Sequence, residues 1–275
     1  MFHIFLRKSI GALLGLLIAF AQASPAGATD GSLDPSFGNG GIVFTDFGGF
    51  DSGSDVEIQP DGKIIVVGGT SDGVDDDFGL ARYNYDGSSD TTFGIDGKVT
   101  TDFAGGYDSA SAVALQPDGK IMAAGIARNS TDFDFALARY NPDGSLDKTF
   151  DKDGKVISRI SLSDDYAMDV ALQPDGKILV SGWDSTGFVL TRYNSDGRLD
   201  TTFANEGVAE IDFGCSSSAH ALALQPDGKI LVAGDACGIF GRDFGVARYD
   251  SNGRLDLQVF LGDALTGLVD VLLRR

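Results

Sequence analysis

Histidine, glutamate, tryptophan and cysteine are all scarce in this chain: among 275 residues there are two His, three Glu (Glu57, Glu206 and Glu210), one Trp and two Cys. With His3 in a leader-like start, His220 stands alone, so no histidine cluster exists to hold zinc. Nor does a G-x-S-x-G elbow offer it a serine nucleophile. Long apolar runs are also missing. The run at residues 10–21 falls short of the roughly 20 residues a bilayer span needs. It follows Arg7 and Lys8 and precedes small-residue sites at 21–23 and 26–28, which is the form of a secretory signal peptide. We therefore expect residues 1–28 to be a leader, cut after Ala23 or Ala28, and no membrane span afterwards. Positive charge is scarce as well. Without the leader, 19 basic residues face 40 acidic ones, a formal charge of −21 that repels phosphate backbones and argues against nucleic acid as a partner.

What is abundant is glycine, with 38 residues, and aspartate, which carries nearly all the acidity. Asp hydrogen-bonds its own backbone in turns and Gly supplies positive φ, so the pair points to many tight turns. A hydrophobic content of 43% with 10% aromatics is ample for a buried core.

The turns recur. LQPDGKILV at 172–180 returns unchanged at 224–232, with near-copies IQPDGKIIV and LQPDGKIMA, and the opening glutamines Gln59, Gln116, Gln173 and Gln225 are spaced by 57, 57 and 52. F-x-[LV]-[AT]-R-Y segments start at Phe78, Phe135, Phe188 and Phe244, and D-G-[SR]-[LS]-D segments start at Asp86, Asp143 and Asp196, with an extra copy at Asp30 and a variant at Asn252. Each unit holds four short runs rich in Val, Ile, Leu and Phe, bounded by Gly, Asp and Pro. In the second unit these are residues 110–116, 120–125 and 135–141, with 98–103 or its successor 155–160 as the fourth. Pro-Asp-Gly between the first two marks a hairpin.

Four strands per unit of about 50 residues, without helices, predict an all-β fold, a β-propeller of four four-stranded repeats over residues 29–256. An orphan fourth strand at 41–47 would complete the last repeat and close the ring. Alternatives are an arc that pairs with a second copy, or a chain cut from a longer array. The off-pattern tail at 257–275 reads as a short helix capped by Asp263, with Ala264, Leu265, Leu268, Val269 and Leu272 as its apolar stripe.

The motifs A-x-Q-P-D-G-K-I, F-x-L-A-R-Y-N, D-G-S-L-D-x-x-F-G and G-K-V-x-T-D-F, spread over residues 30–256, resemble the delta-60 repeat family of exported bacterial proteins. The resemblance implies propeller blades and a secreted, periplasmic or cell-envelope location. It implies no enzymatic activity and no defined ligand. The sequence departs from the family at Asp151 and Ala204, where Gly is usual.

Arg82, Arg139, Arg192 and Arg248 are each followed eight residues later by Asp90, Asp147, Asp200 and Asp256, a spacing that reads as repeated structural ion pairs, with the bidentate fork as one geometry open to them. A binding site is expected to break the repeat symmetry, so the variable acidic loops on the face opposite the Pro-Asp-Gly turns are the place to look. Asp75, Asp76, Asp77, Asp132 and Asp134 are the candidate ligands for calcium there, although no D-x-[DN]-x-[DN]-G loop is present. No catalytic residue and no other cofactor is assigned. Cys215 and Cys237 fall in adjacent loops of the fourth repeat and form a candidate disulfide. Trp183 is a candidate contact residue. The expected function is a binding or scaffold module for a protein or carbohydrate. The alternative is a hydrolase or lyase acting on sugars or lactones through loop carboxylates.

Overall fold

The computed structural model describes residues 31–256 apart from 104, 130, 215, 239 and 240, so the leader at 1–28 and the tail at 257–275 lie outside the described residues. Among the described residues fifteen strands form the fold. They are β1 (Phe50–Ile58), β2 (Ile64–Ser71), β3 (Asp76–Tyr83), β4 (Lys98–Thr101), β5 (Asp108–Leu115), β6 (Ile121–Arg128), β7 (Phe133–Tyr140), β8 (Lys155–Ser158), β9 (Tyr166–Leu172), β10 (Ile178–Trp183), β11 (Gly187–Tyr193), β12 (Val208–Asp212), β13 (Ser218–Leu224), β14 (Ile230–Gly238) and β15 (Gly241–Tyr249). They build four antiparallel sheets in chain order, β1–β4, β5–β8, β9–β12 and β13–β15. This is the all-β propeller, and the sheets are its blades 1 to 4. The 155–158 run, not 98–101, belongs to the second blade. No helix among the described residues is long and apolar enough to cross a membrane.

Consecutive blades pack face to face, so the central strands bury both of their faces. The first core joins Ile65, Val67, Phe78 and Leu80 of blade 1 to Val113, Ile121, Ala123 and Tyr140 of blade 2, and two further cores repeat the pattern at the next two joints. Phe78, Phe135 and Phe188 are each 0% exposed, and burying one phenylalanine contributes about 1.5–3 kcal/mol.

A β-bulge interrupts the first strand of every blade, at Ser54, Ser111, Met168 and His220. His220 is therefore a bulge residue, a position that tolerates different side chains because it stands out of the ladder. The bulge also explains the glycine that closes each hairpin. A Cβ on Gly68, Gly125, Gly182 or Gly234 would stand 1.8–2.0 Å from the carbonyl oxygen of Ser52, Ser109, Tyr166 or Ser218. Two residues past the bulge, carboxylates from the preceding blade take outward amides of this first strand: Val113 N–H donates to Asp55 Oδ2 at 2.9 Å and Leu222 N–H to Asp169 Oδ2 at 2.6 Å.

The Arg–Asp pairs form as the spacing predicted, but not as forks. Arg82, Arg139 and Arg192 each place only Nε on Asp Oδ2, at 2.7, 2.8 and 2.7 Å. The Asp Oδ1 is taken instead by Thr92, Thr149 and Thr202. The same Oδ2 receives the lysine of the Pro-Asp-Gly-Lys turn, Lys63, Lys120, Lys177 or Lys229, at 2.6–3.3 Å. Arg Nη1 crosses to the next blade, donating to the carbonyls of Pro142, Ser195 and Ser251 at 2.5–2.7 Å. Each guanidinium also covers a phenylalanine ring, of Phe93, Phe150 or Phe203. Lysine, arginine and aspartate thus recur because together they fasten hairpin, blade and neighbour.

Residues 37–47 form no ladder with β15 in this structure. They dock on blade 1 in the place that a preceding blade's fourth-strand segment takes. Gly38 N–H donates to Asp86 O at 2.7 Å as Gly94 N–H does to Asp143 O at 2.8 Å. Lys98 Nζ reaches Asp46 O at 2.8 Å as Lys155 Nζ reaches Asp102 O at 2.7 Å. Thr45 Oγ1 bonds the Tyr83 hydroxyl just as Thr101 Oγ1 bonds that of Tyr140.

At the last joint the equivalent residue is Ile211, and the buried Tyr249 hydroxyl has no partner. An unmet buried hydroxyl costs about 1–3 kcal/mol. Ile211→Thr should supply the acceptor and raise stability by about 1 kcal/mol, seen as a melting temperature about 2–4 °C higher. An unchanged or lower value would count against this account of the joint.

Candidate functional site

The face opposite the Pro-Asp-Gly turns is built from the connections before each first strand and between each second and third strand. Asp75 and Asp77 lie together there, and with them Asp102, the residue after β4: one carboxylate oxygen from each lies within 4.8 Å of the others. Asp75 Oδ1 accepts from Gly106 N–H. Asp77 Oδ1 is buried without a hydrogen-bond partner. Burial, then the charges of Asp102 and Asp75, push the Asp77 carboxyl above its ordinary range. Asp76 is not part of this group.

In blade 2 the corresponding residues behave differently. Arg159 holds the place of Asp102 and pairs with Asp132 at 2.9 Å, while Asn129 Nδ2 donates to the buried Asp134. Burial still raises Asp134, but a guanidinium offsets the cluster's charge. Of the five acidic candidates, the structure thus brings Asp75 and Asp77 together with Asp102, sets Asp76 apart, and places Asp132 on Arg159 and Asp134 on Asn129.

Four rings run along the same face in unbroken contact. Tyr107 meets Phe133 edge-on with centroids 5.7 Å apart, Phe133 meets Tyr166 at 5.5 Å, and Tyr166 stacks on Trp183 at 4.1 Å with the planes 15° apart. Arg128 lies over Phe133 at 5.5 Å. Tyr107 is 45% exposed and the other three are half-buried. Only Trp183 was singled out from sequence. The signal for the others was an aromatic beside an aspartate in each variable loop (Tyr107-Asp108, Phe133-Asp134, Asp165-Tyr166), without a counterpart in every repeat.

At the Tyr107 end the row opens into a cleft of about 560 Å³ lined by Phe50, Val74, Asp75, Asp76 and Tyr107, continuous in its lining with a smaller one of about 230 Å³ bounded by Asp51, Ser52, Thr70 and Asp108. Two of these carboxylates are engaged. Asp51 accepts from Phe47 N–H at 2.8 Å and Thr70 Oγ1 at 2.7 Å. Asp108, 0% exposed, accepts from Phe103 N–H at 2.7 Å and Arg128 N–H at 3.2 Å. Its burial outweighs those bonds and pushes its pKa up to about 6.

His220 Nε2 lies 3.4 Å from Asp235 on the exposed edge of blade 4, away from this row. Cys237, opposite Arg242 in the β14–β15 ladder, is disulfide-bonded, and Cys215 lies outside the described residues.

Four segments, residues 59–93, 116–150, 173–203 and 225–258, match the family model described as a domain of unknown function (DUF5122) beta-propeller. The chain is a β-propeller repeat protein. No match was found among curated proteins. The propeller is similar to the GH43 endo-arabinanase from Bacillus licheniformis, at 13% identity over 77% of this chain and 78% of that one, with a TM-score of 0.38. It is also similar to a putative glycoside hydrolase from Bacteroides ovatus, at 13% identity over 74% and 69% of the two chains with a TM-score of 0.42. A third similar structure is the alpha-L-arabinofuranosidase PaAbf62A from Podospora anserina, at 14% identity over 78% and 69% with a TM-score of 0.40.

Proposed function

We propose that this propeller is an exported binding module of the delta-60 repeat type, and that its variable-loop face takes an uncharged carbohydrate along the Tyr107–Phe133–Tyr166–Trp183 row. The aromatic row is the observation that supports this reading. Aromatic rings offer rigid apolar faces to the C–H faces of sugars, and carboxylates beside them accept hydrogen bonds from hydroxyls. Asp76 in the cleft and Asp164, whose carboxylate sits 3.5 Å from the Tyr166 hydroxyl, are placed for that role. The acidic surface disfavours anionic ligands. A hydrolase or lyase would require two carboxylates free to act, and two of those around the cleft, Asp51 and Asp108, already hold the fold together.

Affinity electrophoresis in gels containing soluble neutral polysaccharides tests the reading. Retardation by at least one of them is expected, and Trp183→Ala should weaken it tenfold or more, the loss of about 1.4 kcal/mol or above that a central aromatic contact carries. Retardation that Trp183→Ala and Tyr107→Ala leave unchanged would move the site elsewhere. Retention of a protein ligand in place of any polysaccharide would change the ligand class.

The reading includes calcium at Asp75, Asp77 and Asp102, oxygen donors of the kind this hard cation takes. Calcium at a hundredfold excess over its dissociation constant should stabilise the fold by about 2.7 kcal/mol, and EDTA should reverse the gain. A melting temperature indifferent to both removes the ion from the proposal.

A further inference from the structure

The propeller has three complete joints between blades, and at each of its two ends it carries half of a fourth. On the outgoing face, Phe78, Phe135 and Phe188 and the neighbouring Leu80, Leu137 and Leu190 are all 0% exposed, because the next blade covers them. Their counterparts in blade 4, Phe244 and Val246, are 99% and 50% exposed. On the incoming face, Val113 and Val170 are 4% and 6% exposed, whereas their counterpart in blade 1, Val56, is 57% exposed, with Ile58 beside it at 68%. That incoming face forms a groove of about 700 Å³ lined by Phe37, Val43, Val56, Ile58, Ile64 and Tyr83.

What each end lacks is what the other end presents. Blade 1 already carries, in residues 37–47, the fourth-strand segment of a preceding blade, held by the bonds that hold 94–103 on blade 2. It lacks that blade's three inner strands. Blade 4 consists of three strands among the described residues, with β15 as an edge open to a fourth. The missing joint therefore has the chemistry of the three that are formed: a Phe–Val outgoing face, a Val–Ile incoming face, and a β15 edge for residues 41–47. Both halves are open at once among the described residues. An open edge beside an apolar face is a surface that associates.

We propose that a second copy of this chain completes the joint head to tail: blade 4 of one copy packs on the β1 face of the other, and β15 pairs with that copy's residues 41–47. The contact is heterologous, joining different surfaces of the two partners.

Sedimentation or light scattering on the full chain and on two full-length variants tests this. The wild type is expected to have the mass of two or more copies. Phe244→Asp and Val56→Asp alter exposed side chains at opposite halves of the joint. Each alone should be monomeric with an unchanged far-ultraviolet circular dichroism spectrum. Mixed one to one they should form dimers, because each contributes the intact half that the other lacks. A wild-type monomer at all concentrations, an assembly that neither variant disrupts, or a mixture that stays monomeric would each overturn the proposal. A monomer whose melting temperature falls with Phe244→Asp would likewise overturn it, since the chain would then be covering its own faces.

Discussion

Arg139→Met should destabilise the propeller by about 3–5 kcal/mol, the range for breaking a buried ion pair by removing one partner. Arg139 and Asp147 are 5% and 4% exposed. Methionine preserves the volume over Phe150 but leaves the carboxylate with only Thr149 and Lys120, and leaves Ser195 O without the donor that crosses from blade 2 to blade 3. A chain of this size should melt about 6–20 °C lower. Lys120→Met provides the contrast, because that lysine is 27% exposed and its pair is worth at most about 1 kcal/mol.

The pH profile separates charge from packing. Burial pushes the Asp147 carboxyl up, but Thr149, then Arg139 and Lys120, outweigh it and bring the value to about 2 from the usual 3.8. A carboxyl depressed on folding contributes stability that is complete above 3.8 and is lost as the pH falls toward 2. The wild type should lose that contribution over this window. In Arg139→Met much of it is already gone, so the gap between the two melting curves should narrow on acidification. A gap that is the same at both ends of the window would assign the loss to packing alone.

Gly125→Ala should be of similar severity, about 3 kcal/mol or more, although it adds a single methyl group. The new Cβ would lie 2.0 Å from Ser109 O and 2.7 Å from Ala110 Cα, both backbone atoms of the bulged strand β5, so no side-chain rotation relieves the contact. Gly119→Ala probes the other use of glycine. Its φ is +85°, and the nearest atom to a Cβ there is 3.4 Å away on the Pro142 side chain. The change should cost only the strain of a left-handed residue, about 1–2 kcal/mol. Chemical denaturation of both variants checks the order. Equal losses would mean that the bulge yields.

These two cases show how the fold was legible in the sequence. The eight-residue interval from Arg139 to Asp147 revealed a structural pair because both partners belong to one blade and the interval recurs. It did not reveal that the same guanidinium reaches Ser195 on the next blade, 56 residues away. Gly125 was visible as a landmark at the end of its hairpin, but its reason lies in a bulge that has no sequence signature: the bulged positions hold Ser, Ser, Met and His. The acidic loops were read as a face, and Asp75 and Asp77 do come together. Asp102 was missed because it closes a strand, and Arg159 at the equivalent place in blade 2 reverses the local charge. Of the aromatic row, Trp183 was noticed only for its rarity. Its partner Tyr166 opens the first strand of the same blade, and Phe133 and Tyr107 lie one loop further on.

By itself the sequence determined the repeating unit, its four strands, the Pro-Asp-Gly hairpins and the side on which the copies differ. All of these rest on local turn chemistry and on short apolar runs within a single blade. The tertiary structure decided which carboxylates meet, which rings touch and which faces stay open. Those outcomes depend on how strands pair within a blade and how one blade packs on the next, which bring together residues that no local preference connects.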